Sequence, residues 1–226
     1  MMGFPFGKPL PTDSVPGTIA KAPGGVGRNL AENLARLGLR VELVTAFGDD
    51  RDGRALLQNC QDINIGVRHS ILANGYKGAM HLAILDERKD LYTGVADLSV
   101  LQVLSPTYLE QQREALEQAE AICLETNTPV AAIDWLLSYE WEVPLYLDPV
   151  SNHLATRIQP HLGRFHTVKA NRRQAEVLSG QRVLNIDDMK KAAAKIMDKG
   201  VQRVFITLGS QGAFAADHKQ SVHLAA

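Results

Sequence analysis

The chain has 226 residues, a formal net charge of -1 and 45% hydrophobic residues, which fits a globular α/β chain with a sizeable core. The near-neutral balance and the lack of any Lys/Arg block argue against a nucleic-acid partner and against docking on an anionic membrane surface. Two distant cysteines (Cys60 and Cys123), no apolar leader and no bilayer-length apolar stretch exclude a disulfide framework, a zinc site and a spanning helix, and make the cytoplasm the expected location.

Residues 1 to 23 carry Pro5, Pro9, Pro11, Pro16 and Pro23 and read as loop or edge structure. From Gly25 to Leu37 the period turns helical, with Leu30, Leu34 and Leu37 on one face and Gly38 at the C-cap. Val41 to Ala46 reads as a strand and Gly53 to Cys60 as a helix. Gly78 to Leu85 and Leu91 to Val95 flank the charged turn Asp86-Glu87-Arg88-Lys89-Asp90 and predict a hairpin. A helix follows over Pro106 to Ala119. Strands are then expected at Ala121–Leu124, Leu145–Leu147, His166–Val168 and Arg203–Leu208, and helices at Pro129–Tyr139, Arg172–Leu178 and Ile186–Lys199. This alternation implies a parallel sheet covered on both faces, closed by a hairpin of Gly212–Ala216 and Ser221–Leu224.

Several segments carry chemistry. Gly24-Gly25-Val26-Gly27-Arg28-Asn29 opens a helix, so a ligand could approach its backbone and its free first-turn amides. It is no dinucleotide fingerprint, because Leu30 fills the third glycine position and Pro23 precedes the motif. Gly48 to Ala55 has P-loop glycine spacing but Arg54-Ala55 where Lys and Ser/Thr are needed, and reads as a turn into a helix. Glu125-Thr126-Asn127 and Asp148-Pro149-Val150-Ser151 each follow a strand, where ligands gather in open α/β sheets. Glu125 could accept from a hydroxyl-rich substrate and Asp148 could serve a metal or a phosphate-side water network, while Asn127 and Asp148 read equally as caps or turns. Asn171 is an N-cap, a ligand contact or both, and Thr207-Leu208-Gly209-Ser210-Gln211-Gly212 could admit a nucleotide or form a tight turn. The histidines show no metal-ligand spacing.

Taken in order, these motifs, with Lys169-Ala170-Asn171 leading to Glu176 and Leu178-Ser179-Gly180, resemble the PfkB family of carbohydrate and nucleoside kinases, and within it the pseudouridine kinases. The resemblance implies a ribokinase-like three-layer α/β/α core with a mostly parallel sheet and a small β lid. It treats 1–226 as a single incomplete domain with lid segments at about 1–22 and 76–95. The implied activity is ATP-dependent phosphorylation of the 5′-hydroxyl of pseudouridine or a related nucleoside or sugar. The alternatives are a non-catalytic nucleoside-binding pseudokinase and a ribose- or adenosine-type PfkB kinase. Cofactors implied are ATP and Mg2+, with K+ a further candidate. The partner is a small nucleoside or sugar, and a homodimer through the lid is a further expectation.

By the same resemblance, Gly24, Gly25 and Asn29 hold ribose hydroxyls, and Glu125 and Asn127 lie near the sugar. Asn171, Thr207, Gly209 and Gly212 face the nucleotide and its phosphates, and Asp148 and Glu176 approach the metal through water. Three departures from the family pattern set further expectations. The opening strand with its Asn-x-Asp motif is not seen, and Asp13 does not match it in context. Gln174 stands where the Asn-x-x-Glu motif has its carboxylate, so metal-dependent turnover is expected to be weaker and Gln174→Glu to raise it. The Gly-Ala-Gly-Asp segment with the catalytic base is expected beyond Ala226, so this chain alone is expected to be inefficient.

Overall fold

The glycines and prolines near the start leave room for two short strands, β1 (Met2–Pro5) and β2 (Gly17–Ala20), paired antiparallel. The computed structural model describes residues 1–10 and 12–226, so Pro11 lies outside the described residues. The chain divides into two compact units, Met1–Leu104 and Ser105–Ala226.

In the first unit, α1 (Val26–Arg36) ends as its sequence predicts. Gly38 takes φ +85°, its N–H bonds Ala35 O, and Leu39 N–H bonds Leu34 O, the paired bonds of a Schellman close. The strand expected at 41–46 is two strands, β3 (Val41–Glu42) and β4 (Ala46–Gly48), followed by α2 (Arg51–Asp62). They pair in parallel with β5 (Ile65–Gly66) and β6 (Ile71–Ala73). The reason for the split lies in Ser70, whose Oγ accepts from Thr45 N at 3.1 Å and donates to Leu43 O, replacing a ladder rung by a side chain. Ala31, Phe47, Cys60 and Ile65 form the small core beneath these elements.

The expected hairpin is present as β7 (Met80–Leu85) and β8 (Leu91–Asp97). Asp86 Oδ1 accepts from Arg88 N and Asp90 N, which fixes the turn. These strands join β1 and β2 in one sheet of order β2-β1-β7-β8, and every residue of β8 is exposed. Asp50 caps α2 and also binds the entry to β7, accepting from Gly53 N at 2.8 Å and Gly78 N at 3.0 Å. Three backbones cross there, since a Cβ at Gly48, Gly53 or Gly78 would overlap a neighbouring main chain. The P-loop-like spacing is therefore a packing device. A 3-10 turn at Ser99–Val103, not foreseen, buries Val100 and Leu101.

The second unit opens with α3 (Pro106–Gln111) and α4 (Arg113–Glu117), which the sequence suggested as one helix. The break is a tightened turn in which Gln112 N bonds Leu109 O. Next come β9 (Ile122–Glu125), α5 (Val130–Ser138), β10 (Leu145–Asp148), the unforeseen α6 (Asn152–Ile158), β11 (Thr167–Asn171), α7 (Arg172–Ser179), α8 (Ile186–Met197), β12 (Arg203–Thr207), β13 (Ala213–Asp217) and β14 (Ser221–Leu224). They form a six-stranded sheet of order β14-β13-β12-β11-β10-β9, parallel from β9 to β12 and antiparallel in the closing hairpin.

Alternation along the strands decides what is buried. Leu124, Leu147, Val168, Val204 and Phe214 lie in the core with Ile133, Ala155, Leu178 and Ile196 of the helices. On the opposite face Cys123, Lys169, Phe205 and Val222 are exposed within this unit. Away from the strands' carboxyl ends, Trp135, Tyr139 and Trp141 pack with centroids 5.1 to 5.9 Å apart. Glu110 Oε2 accepts from Tyr139 Oη at 2.7 Å and Trp135 Nε1 at 3.1 Å, and Arg113 lies 4.5 Å over the Tyr139 ring.

Candidate functional site

Because β9 to β12 run parallel, their carboxyl ends share one edge, and the sequence places a polar residue at each. Glu125 at the end of β9 stands opposite Asp148 at the end of β10. Asp148 Oδ2 accepts from Lys169 Nζ of β11 at 3.0 Å, and its Oδ1 accepts from Val150 N at 2.9 Å. Two residues past Lys169, Asn171 of β11 pairs with Thr207 of β12. The structure thus brings Glu125, Asp148, Asn171 and Thr207 to neighbouring strand ends, as sequence reasoning expected of each separately.

Glu125 is half-buried, and Asn127 donates to its Oε2 twice, from N at 3.2 Å and Nδ2 at 2.9 Å. Burial raises the Glu125 pKa, the two Asn127 bonds oppose the rise, and the Asp148 charge adds to it. Thr126 between them is fully buried, its Oγ1 has no partner among the described residues, and its carbonyl accepts from Arg157 Nη2 at 2.7 Å.

Asn171 is an N-cap. Its Oδ1 accepts from Gln174 N at 2.9 Å, while Gln174 Oε1 accepts from Asn171 N at 2.8 Å, a reciprocal capping box. Gln174, 2% exposed, closes α7 locally, a role that either Gln or Glu can fill. Glu176 lies further along α7 and turns Oε1 to Val183 N at 2.8 Å, which fastens the loop after the helix. Thr207 Oγ1 donates to Ala170 O at 3.4 Å. Gly209 and Gly212 have φ +61° and +90°, and a Cβ on Gly212 would overlap Leu224 O.

Gly24, Gly25 and Asn29 belong to the first unit. Gly25 is the N-cap of α1 at φ +104°, a backbone that a side chain would strain, and no acidic residue occupies the first turn. Its amides beyond Gly25 are uncapped by any side chain. Asn29 is exposed, with its N–H on Gly25 O at 2.8 Å.

Three features escaped the sequence reading. Lys169 pairs with Asp148, and its position before Ala170-Asn171 on an alternating strand was the available signal. Val150 has φ +53° and sits in a tight turn closed by Ser151 N on Pro149 O at 2.5 Å, a backbone state nothing in a Val codon-by-codon reading suggests. Arg28 is buried at 8% exposure, where an arginine before an exposed Asn would be expected to face solvent.

The donor set suits a hydrated magnesium ion, which takes one or two carboxylates together with phosphate oxygens and water. Asp148 supplies such a carboxylate, and among the described residues there is no cluster of three His, Cys, Asp or Glu that would form an all-protein cage.

The chain is 33% identical over 205 residues to a pseudouridine kinase of Escherichia coli K12, covering 91% of this chain and 66% of that protein. It is 31% identical over 204 residues to an uncharacterised sugar kinase of the same organism, covering 90% and 56%. The chain therefore spans less than two thirds of the length of either relative. A ribokinase structure from Thermotoga maritima superposes with a TM-score of 0.77 at 18% identity, covering 99% of this chain and 72% of that one, and shares the ribokinase-like α/β fold. Residues 8–226 match the family described as pfkB family carbohydrate kinase. A polar residue at every parallel strand end, a glycine-opened helix and a match over nearly the whole length converge, and the chain belongs to the pfkB family of carbohydrate kinases.

Proposed function

We propose that this chain forms the greater part of an ATP-dependent kinase for the 5′-hydroxyl of pseudouridine or a closely related nucleoside. The observation that carries the reading is the polar row at adjacent strand ends, Glu125 and Asp148 with Lys169, followed by Asn171 and Thr207. The identity to a pseudouridine kinase supports the nucleoside.

In this reading Gly24, Gly25 and Asn29 bind ribose hydroxyls, and Glu125, held by Asn127, accepts from a sugar hydroxyl. Asn171, Thr207, Gly209 and Gly212 hold the nucleotide, with the glycines keeping side chains out of its way. Asp148 faces the water shell of magnesium, Lys169 holds Asp148 in place and offsets phosphate charge, and Glu176 is instead held on Val183 N. Magnesium-ATP supplies the phosphoryl group and part of the charge neutralisation. The protein's share is to align the hydroxyl with the phosphate and to exclude water. The sheet of β1, β2, β7 and β8 acts as the lid. Its exposed Ile19, Leu82, Leu91 and Val95 also suit a second copy, and a monomeric mass in solution would remove that part of the reading.

Calorimetric titration with pseudouridine, uridine and ribose, each with and without Mg-ATP, tests the proposal. Saturable binding with pseudouridine preferred, and little nucleoside 5′-phosphate in the 31P spectrum from this chain alone, are the expected results. A protein that binds no nucleoside or sugar under any of these conditions does not have this function.

A further inference from the structure

Arg28 is the single Lys, Arg, Asp or Glu in the buried class among the described residues. Moving a guanidinium out of water costs several kcal/mol unless partners replace the lost hydration. Its terminal nitrogens have one partner on each helix, and its buried Nε has none among the described residues. Glu32, one turn along α1, makes a close ion pair with Nη1, and Asn59 of α2 accepts from Nη2 at 2.7 Å. Nη1 also donates to Asn29 Oδ1 at 3.3 Å.

That bond fixes a chemical choice. A guanidinium has donors only, so Asn29 must turn its carbonyl oxygen to Arg28 and present its NH2 elsewhere. Among the described residues the Asn29 NH2 has no partner, and the residue is exposed in the first turn after the uncapped Gly25. We infer that Arg28 is a positioning residue that holds the Asn29 side-chain amide so that it donates to substrate, selecting a ligand oxygen with a free lone pair, such as a ribose hydroxyl or ring oxygen. The inference rests on the reading of Gly24 to Asn29 as the sugar-binding loop.

The test is a double-mutant cycle on nucleoside affinity, with Arg28→Met, Asn29→Ala and the pair, read by calorimetry with pseudouridine. Each single substitution is expected to weaken binding about tenfold, the worth of one hydrogen bond, and the pair to be no weaker than either. Effects that multiply to about a hundredfold, or an Arg28→Met protein that binds as tightly as the parent, overturn the inference. A purely structural arginine would lower stability without this coupling. Should Arg28→Met fail to fold, Asn29→Asp serves instead. Its carboxylate pairs better with Arg28 and keeps the fold, but it has no NH2 to donate, so binding should fall at least tenfold. Unchanged affinity in Asn29→Asp overturns the inference. A parent protein that binds no nucleoside or sugar defeats the sugar-loop reading itself, and that result is distinct from a parent that binds while the variants show no coupling.

Discussion

At the scale of single residues, Glu125 carries opposed demands. Burial raises its pKa, so its ionised form opposes folding. For an acid whose folded pKa is raised, stability is highest below the unfolded pKa and falls as pH rises through the interval up to the folded pKa. Glu125→Gln removes that loss while leaving an oxygen for the two Asn127 donors. We therefore expect Glu125→Gln to melt at a higher temperature than the parent at pH 7 to 8, with the difference vanishing near pH 4, and to bind nucleoside less well. Equal melting temperatures at pH 8 would remove the electrostatic account. Such a residue is legible in sequence as a carboxylate after a short apolar strand. Its neighbour Val150 is not, because a positive φ at a β-branched residue costs about 1–3 kcal/mol and is imposed by the surrounding turn, which no local propensity encodes. The burial of Arg28 was not legible for a related reason: it depends on Asn59, thirty-one residues away.

At the scale of elements, the periodic helices and hydrophobic strands of the second unit were readable because each buries one regular face, as the alternation of β12 from Arg203 to Thr207 shows. Elements failed to be read where a side chain or a turn interrupts the period, as Ser70 does beside β3 and β4 and Gln112 between α3 and α4. The start of α7 was visible as Asn171 but its meaning was split between cap and ligand contact, and the two roles can be separated. Asn171→Ala removes one arm of the capping box and should cost about 1–2 kcal/mol in denaturant unfolding. Asn171→Asp keeps the cap, and adds charge favourable to the helix N-terminus, but places a carboxylate toward the nucleotide phosphates. Stability should hold in Asn171→Asp while Mg-ATP affinity falls. If Asn171→Asp keeps both its stability and its Mg-ATP affinity, Asn171 is a cap alone. Gln174, read from sequence as a weakened metal residue, has a local explanation in the same box.

At the scale of the whole molecule, the family was legible from motif order, while the division into two compact units was not, since both share the same mixture of short strands and helices. Each unit has its own core, a large one of strand and helix residues in Ser105–Ala226 and a small one around Phe47 and Cys60 in Met1–Leu104. The packed aromatic trio has a spectroscopic consequence. The chain has two tryptophans, Trp135 and Trp141, and both belong to that trio in the second unit. Intrinsic emission excited at the red edge therefore reports the second unit and is blind to the first. Urea curves followed by tryptophan emission and by far-ultraviolet dichroism should separate if the smaller core opens first, and coincide if the units unfold together. A tryptophan introduced at Phe47 would give the first unit its own optical signal.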